Sequence, residues 1–208
     1  MKRDFKENYP KILLGLFFIF WIIIAISPKY RNVWFYENIL TVLFIGFLVL
    51  TYKKFRFSNF TYSVLFFFMI LHTIGSYYSY AEMPLFDLIK SLLGLSRNNY
   101  DRIVHFLFGL IFFFPIYEFI SRKFNIKGSL GFLFVFLVIA ALKGIFEIIE
   151  WFYVLITSSN ILILTNYLGE QGDNWDAQKD MLFGVIGSII SWIYFGLRKI
   201  SRNLYILV

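Results

Sequence analysis

The sequence predicts an all-α integral membrane protein with six transmembrane helices, and three observations carry this prediction. Of the 208 residues, 59% are hydrophobic and 23% are aromatic, with 28 Phe among them. Charged residues supply only 16% of the chain, against roughly 25% in an ordinary soluble domain. Six separate apolar runs are also long enough to cross about 30 Å of hydrocarbon as helices.

The six predicted spans are apolar runs separated by short polar loops. They cover residues 11 to 27, 37 to 52, 60 to 80, 102 to 120, 130 to 155 and 181 to 197. The first run follows Lys2, Arg3 and Lys6, so a cleaved signal peptide is the alternative for it. Pro28 directly after the Ala-Ile-Ser tripeptide argues against cleavage there, and the run is long enough to span. No repeat or soluble domain boundary is evident, which predicts one polytopic membrane domain over residues 1 to 208.

A shorter apolar segment, PLFDLIKSLLGL at residues 84 to 95, lies between the third and fourth spans. Its apolar side chains fall on one helical stripe, while Asp87, Lys90 and Ser91 lie elsewhere. This pattern predicts a short amphipathic helix lying in the outer membrane interface. An ordered connector without a membrane role is the alternative.

The distribution of basic residues predicts the orientation of the chain. Of the 20 Lys and Arg residues, thirteen lie in the amino-terminal tail, the loops near residues 55 and 125, and the C-terminal tail. Six lie in the alternate loops, and Lys143 lies inside the fifth span. The positive-inside rule therefore predicts that both termini are cytoplasmic.

The composition also bounds the partners. The formal charge of +7 is carried by short loops between spans, so it predicts no nucleic-acid partner. The chain has no Cys, which excludes disulfides, thiolate ligands and cysteine nucleophiles. Membrane lipid is the predicted partner, and the oligomeric state is left open.

Ionisable residues from four spans are predicted at a similar depth, toward the outer face. His72, His105, Glu147, Glu150 and Asp180 come out roughly 4 to 13 Å beyond the bilayer centre, at about 1.5 Å rise per residue. An ionisable side chain near the centre costs about 2.5 to 3.5 kcal/mol on insertion scales. We therefore expect these side chains to face the bundle interior, where they meet one another or water.

The spacing of the acidic residues supports a shared site. Asp101 and His105 are four apart and Glu147 and Glu150 three apart, so each pair lies on one helix face. Carboxylates and imidazoles at one depth are the ligand set of Zn, Mn or Fe, or a proton relay. The predicted metal ligands are His72, Glu82, Asp101, His105, Asp173, Asp176 and Asp180. The predicted catalytic residues are Tyr80, Glu147 and Glu150.

Each of these residues also has a purely structural interpretation. Asp173 and Asp176 are typical of a helix start, where acidic residues meet the positive end of the helix dipole. Lys143 and Glu147 are four apart, as in an intrahelical ion pair that lowers the cost of insertion. His72 alone is also consistent with a hydrogen-bonded buried histidine.

Three stretches resemble the YjdF family of bacterial inner-membrane proteins, a domain family of unknown function. They are HTIGSYYSYAEMP at 72 to 84, NNYDRIVHFLFG at 98 to 109, and EIIEW at 147 to 151 followed by GEQGDNWDAQKDM at 169 to 181. The resemblance covers most of residues 60 to 190 and implies an integral protein of the bacterial inner membrane. The motif positions include the ten candidate site residues. The Asp-x-x-x-His-Phe motif that begins at Asp101 also has a distant likeness to VanZ-like membrane proteins.

The leading functional hypothesis is a metal-dependent membrane hydrolase or transferase that acts on a lipid or an envelope-related amphiphile. The alternative is a proton- or ion-coupled transporter of a small molecule that uses the same side chains as a relay. A chaperone or assembly partner, in which these side chains serve only folding, is the third hypothesis.

Overall fold

The computed structural model describes residues 2–157 and 170–205, and these residues form helices and turns without a β-strand. The seven α-helices are α1 (Lys2–Ala25), α2 (Arg31–Thr51), α3 (Asn59–Tyr77), α4 (Pro84–Leu93), α5 (Tyr100–Lys123), α6 (Gly128–Thr157) and α7 (Asp176–Tyr205). A short 3-10 helix, Glu170–Gly172, precedes α7. The predicted all-α class is confirmed.

Six of these helices are long and apolar enough to cross a membrane, which confirms the six predicted spans. The apolar segments are Glu7–Ala25, Arg31–Thr51, Asn59–Tyr77, Tyr100–Lys123, Gly128–Ile156 and Asp176–Arg198. The shortest has 19 residues, which corresponds to about 28 Å of helix. In five of these helices large apolar side chains, such as Ile19, Leu43 and Leu197, stay more than half exposed, as expected of a surface that faces lipid.

Span boundaries differ from the prediction at every helix: α2, for example, begins at Arg31, six residues before the predicted start at residue 37. Two of the differences have identifiable reasons. The predicted third span ran to residue 80, but α3 ends at Tyr77 because Ser79 and Tyr80 adopt φ of 52° and 55° and turn the chain. The predicted sixth span began at 181, but α7 begins at Asp176. The first turn of α7 is polar, so its mean hydropathy is too low to be recognised as part of a span.

The helix between the third and fourth spans is also confirmed, as α4. Pro84 occupies its first turn, where a missing N–H costs nothing, and Gly94 ends it at φ 61°. Its Leu side chains face outward: Leu85, Leu88, Leu92 and Leu93 are each more than half exposed. An amphipathic helix with an unburied apolar face is typical of a helix that lies in a membrane interface.

Contacts divide the chain into two compact units, and the division falls inside α5 after Val104. The single domain predicted over residues 1 to 208 stays a prediction. In the first unit, α1 and α2 both pack against α3. Trp21 of α1 donates to Asn38 of α2 at 2.6 Å, and Asn38 donates to Ser76 of α3 at 3.2 Å. These polar contacts tie together three otherwise apolar helices.

In the second unit, α5, α6 and α7 enclose an aromatic and aliphatic core. Phe113 of α5 and Val135 and Ile139 of α6 are fully buried at its centre. Helices α5 and α7 approach closely through glycine: a Cβ on Gly109 would lie 1.8 Å from the carbonyl oxygen of Gly184. This close approach fixes the relative register of the two helices, and so positions the polar residues one turn away.

Candidate functional site

Four ionisable side chains from three helices meet inside the second unit. Nδ1 of His105 on α5 lies 2.6 Å from Nζ of Lys143 on α6. The same Lys143 atom lies 3.2 Å from Oε1 of Glu147, one turn further along α6. Glu147 Oε1 and Asp180 Oδ1, the latter on α7, lie 3.7 and 3.9 Å from His105 Nδ1. These four residues, which we call the His105 cluster, each expose at most 9% of their side chain.

The local sequence explains why these groups converge. Lys143 and Glu147 are four apart, so both project from one face of α6. A Cβ on Gly184 would lie 2.8 Å from Cγ of Lys143. A glycine at this position therefore leaves room for the lysine stem to pass along α7 and reach His105.

Three more acidic residues lie on the helices that form the cluster. Asp101 is buried one turn before His105 on α5, and a carboxylate oxygen lies within 4.8 Å of a His105 ring nitrogen. Asp176 is buried one turn before Asp180 on α7. Glu150 lies one turn beyond Glu147 on α6 and is half-buried.

The contacts of Asp173 are those of a helix start. Its Oδ1 accepts the backbone N–H of Trp175 at 3.1 Å, and its backbone oxygen accepts the N–H of Asp176. Lys179 donates to both of its carboxylate oxygens, at 2.9 and 2.6 Å. These contacts fit the structural interpretation of Asp173, and its role as a metal ligand stays a prediction.

In the first unit, His72 and Tyr80 form a second polar pair. The Tyr80 hydroxyl is 2.5 Å from Nδ1 of His72, and Nε2 of His72 is 3.3 Å from the backbone oxygen of Glu37. Both ring nitrogens of His72 thus have hydrogen-bond partners within its own unit. The interpretation as a satisfied buried histidine accounts for this geometry, and its predicted role as a metal ligand stays a prediction.

The backbone holds Tyr80 in an uncommon conformation. Ser79 and Tyr80 both adopt positive φ, which costs a residue with a side chain of order 1 kcal/mol or more. Tyr80 packs against Gly75, where a Cβ would lie 2.3 Å from Cε1 of the ring. The backbone at Tyr80 is strained, and Gly75 leaves the space that the Tyr80 ring occupies. Both features indicate that the Tyr80 hydroxyl must lie at this position.

Glu82 lies at the surface of the first unit and contacts the loop between α1 and α2. Its carboxylate pairs with the ammonium of Lys29 and accepts the Tyr30 hydroxyl at 3.0 and 3.2 Å. The hydrogen bond to Glu82 raises the pKa of Lys29, and that of Tyr30, above their usual values. Glu82 therefore ties the turn after α3 to this loop, and its predicted metal role is untested.

Sequence reasoning missed two features of these sites. Pairing with Glu147 was only the structural alternative for Lys143, and its contact with His105 across the helix interface was not predicted. Glu37 is only 5% exposed on α2, on the buried face that also carries Trp34, Asn38 and Thr41. The spacing of these four residues, at three, four and seven, is the sequence signal that could have identified a polar helix face.

The atoms of the cluster determine which hydrogen bonds and which metal ions it can accept. Lys143 Nζ and His105 Nδ1 lie at hydrogen-bonding distance, and an ammonium group can only donate in such a contact. Carboxylate oxygens and an imidazole nitrogen are ligands that Zn, Mn and Fe accept. Asp101, His105 and Asp180 therefore fit a divalent metal by their chemistry. Lys143 would have to move away from His105 for a metal to bind there.

Comparison with known proteins places the chain in a family. No solved structure matches it. The inner membrane protein YjdF of Escherichia coli (strain K12) is 29% identical over 209 residues, covering 97% of each chain. The model of a family described as "Predicted membrane protein (DUF2238)" matches residues 9–200. This protein therefore belongs to the DUF2238 family of predicted membrane proteins.

Proposed function

We propose that the His105 cluster is the centre of a metal-assisted hydrolase or transferase embedded in the bacterial inner membrane. The observation that carries this proposal is the burial of three potential ligands, Asp101, His105 and Asp180, inside helices long enough to span a bilayer. Burying carboxylates in such a place is costly and needs a compensating role. The inner-membrane location rests on the name of the Escherichia coli relative and on the apolar helices.

The residues of the cluster, and three acidic residues next to it on the same helices, have distinct proposed tasks. His105 and Asp180 would hold the metal, and Asp101 would add a ligand from the preceding turn of α5. A bound divalent ion supplies Lewis acidity and lowers the pKa of a coordinated water. Glu147 is the proposed general base. Glu150, three residues further along α6, is the alternative for this role. Asp176 is the proposed additional ligand on α7.

Lys143 is the proposed counter-charge of the metal-free state. Its ammonium occupies the Nδ1 side of His105 and pairs with Glu147. Lys143 would have to move away from His105 for this ring to hold a metal, so the ammonium and a metal would compete for the site. Removal of the lysine charge should therefore increase the affinity for divalent ions.

The proposed substrate is a lipid or an envelope-related amphiphile. The four outward-facing leucines of α4 support this class, because they place a helix in the interface where such a substrate resides. Tyr80 stays a predicted catalytic residue; within the first unit its hydroxyl contacts His72 and its ring packs against Gly75. The distribution of basic residues supports cytoplasmic termini.

Elemental analysis of protein purified in detergent tests the proposal. We expect about one divalent transition-metal ion per chain in the wild type and a large loss in His105→Ala and Asp180→Asn. Glu118→Gln is the matched control, because Glu118 is also a buried acid of α5 but pairs with Arg122. Metal-free wild-type protein, or equal metal content in all four proteins, would reject the proposal.

A proton-coupled transporter is the second candidate, and the contact chain from His105 through Lys143 to Glu147 favours it. Groups within 2.6 to 3.2 Å of one another can pass a proton by small side-chain motions. Proteoliposomes under a pH gradient separate the two functions. A transporter would show proton flux that Glu147→Gln abolishes, whereas an enzyme would leave the gradient intact.

A further inference from the structure

The first unit contains a groove remote from its polar pair, between α1, α2 and α3. Helices α1 and α2 meet near one end, where Trp21 donates to Asn38 and its ring lies 5.3 Å from that of Trp34. They meet again near the other end, where the Tyr52 hydroxyl donates to the backbone oxygen of Glu7 at 3.4 Å. Between these two contacts the helices separate and leave a groove of about 240 Å³.

The groove is apolar along its length. Its lining includes Leu14 and Phe17 of α1, Ile45 and Leu48 of α2, and Leu65 and Met69 of α3. For comparison, an apolar cavity of roughly 150 Å³ in another protein binds benzene. A groove of this volume therefore accommodates several methylene groups of a hydrocarbon chain.

Positive charge is concentrated at one end of the groove. Lys11 is part of the lining, and Lys53 and Lys54 are exposed directly after Tyr52, another lining residue. The guanidinium carbon of Arg56 lies 5.9 Å from the centre of the Tyr52 ring. A hydrocarbon slot that ends at basic side chains matches a lipid with an anionic headgroup, since basic residues near a membrane surface attract such lipids.

We propose that this groove is a binding site for one anionic phospholipid, with an acyl chain along the slot and the phosphate at Lys11. The groove is distinct from the polar pair of the same unit. Its lining spans residues 10–17 of α1, 45–52 at the end of α2 and 62–69 of α3, whereas His72 lies nearer the end of α3 and Tyr80 beyond it. The lipid is therefore a bound component of the first unit.

Lipid binding to the full-length protein tests this inference. Native mass spectrometry would titrate detergent-solubilised protein with phosphatidylglycerol or with phosphatidylcholine of the same acyl chains. We expect phosphatidylglycerol to bind more tightly, and Lys11→Gln to weaken it about fivefold, the effect of one basic residue near the headgroup. Lys127→Gln is the matched control, since Lys127 is exposed, lies in another basic loop and is absent from the groove lining.

A second variant tests the slot itself. Leu14→Trp should fill the groove and weaken binding of both lipids while leaving the elution profile and apparent Tm of the protein unchanged. Equal affinity for the two lipids, or equal effects of Lys11→Gln and Lys127→Gln, would overturn the proposal. Competition by soluble glycerol phosphate at the concentration of the lipid would likewise overturn it, because an acyl chain would then contribute nothing.

Discussion

Replacement of Lys143 by Met separates the metal site from a purely structural ion pair. Met keeps most of the lysine stem that packs beside Gly184 and removes the ammonium. The variant loses the contacts to His105 Nδ1 at 2.6 Å and to Glu147 Oε1 at 3.2 Å. Hydrogen bonds to charged groups contribute about 1.5 to 3 kcal/mol each, and breaking a buried ion pair costs about 3 to 5 kcal/mol.

We therefore expect Lys143→Met to lower the free energy of unfolding by about 3 kcal/mol in metal-free buffer. For a chain of this length, that is a fall in apparent Tm of about 6 to 12 °C. A divalent ion at about 100 times its Kd should return about 2.7 kcal/mol, because it now occupies the place of the ammonium. Tryptophan fluorescence during a thermal scan, with and without Zn²⁺ or Mn²⁺, measures both effects.

Arg122→Met is the matched control for this experiment. Arg122 also pairs with a buried acid four residues away, but 49% of its side chain is exposed. We expect a loss of at most about 1 kcal/mol and no recovery with metal. A Lys143→Met protein as stable as the wild type, or one that divalent ions do not restore, would refute the reasoning about the cluster.

Three further predictions concern packing, the Tyr80 contact and topology. Gly109→Ala should lower the apparent Tm by several degrees, because a Cβ there would lie 1.8 Å from a carbonyl oxygen of α7. Gly15→Ala is the control and should leave the apparent Tm unchanged, since a Cβ at Gly15 would meet no atom within 4 Å. Tyr80→Phe should cost about 1 kcal/mol through loss of its hydrogen bond to the histidine of α3, as measured by denaturant unfolding; an unchanged midpoint would remove the positional role. Because the chain has no Cys, Lys127→Cys and Lys90→Cys are unique labelling sites. An impermeant thiol reagent added to intact cells should label Lys90→Cys alone, and the reverse pattern would invert the proposed topology.

The six spans were predictable because hydropathy alone decides them. Any run of about 20 apolar residues in such a chain must be helical to satisfy its backbone in lipid. Boundaries were less predictable, since they depend on turns whose signals are weak. The end of α3 at Tyr77 follows from positive φ at Ser79 and Tyr80, residues that ordinarily avoid this conformation.

The height of each candidate side chain along its span could be predicted from the sequence, but the direction in which the side chain points could not. Residue number gives the height of a side chain along its span, and this placed His105, Glu147 and Asp180 at comparable levels. Rotation of each helix about its axis depends on packing, which explains why the contact of Lys143 with His105 was not foreseen. The same limitation applies to His72, whose ring is directed toward Tyr80 within the first unit.

The central claim is that one of the two histidines of this chain binds a metal and that it is His105. Protein labelled with ¹⁵N-histidine and loaded with Mn²⁺ tests it by pulsed electron paramagnetic resonance. We predict a ¹⁵N hyperfine coupling in the wild type that persists in His72→Ala and disappears in His105→Ala. The absence of a coupling in the wild type, or its loss in His72→Ala instead, would contradict the account.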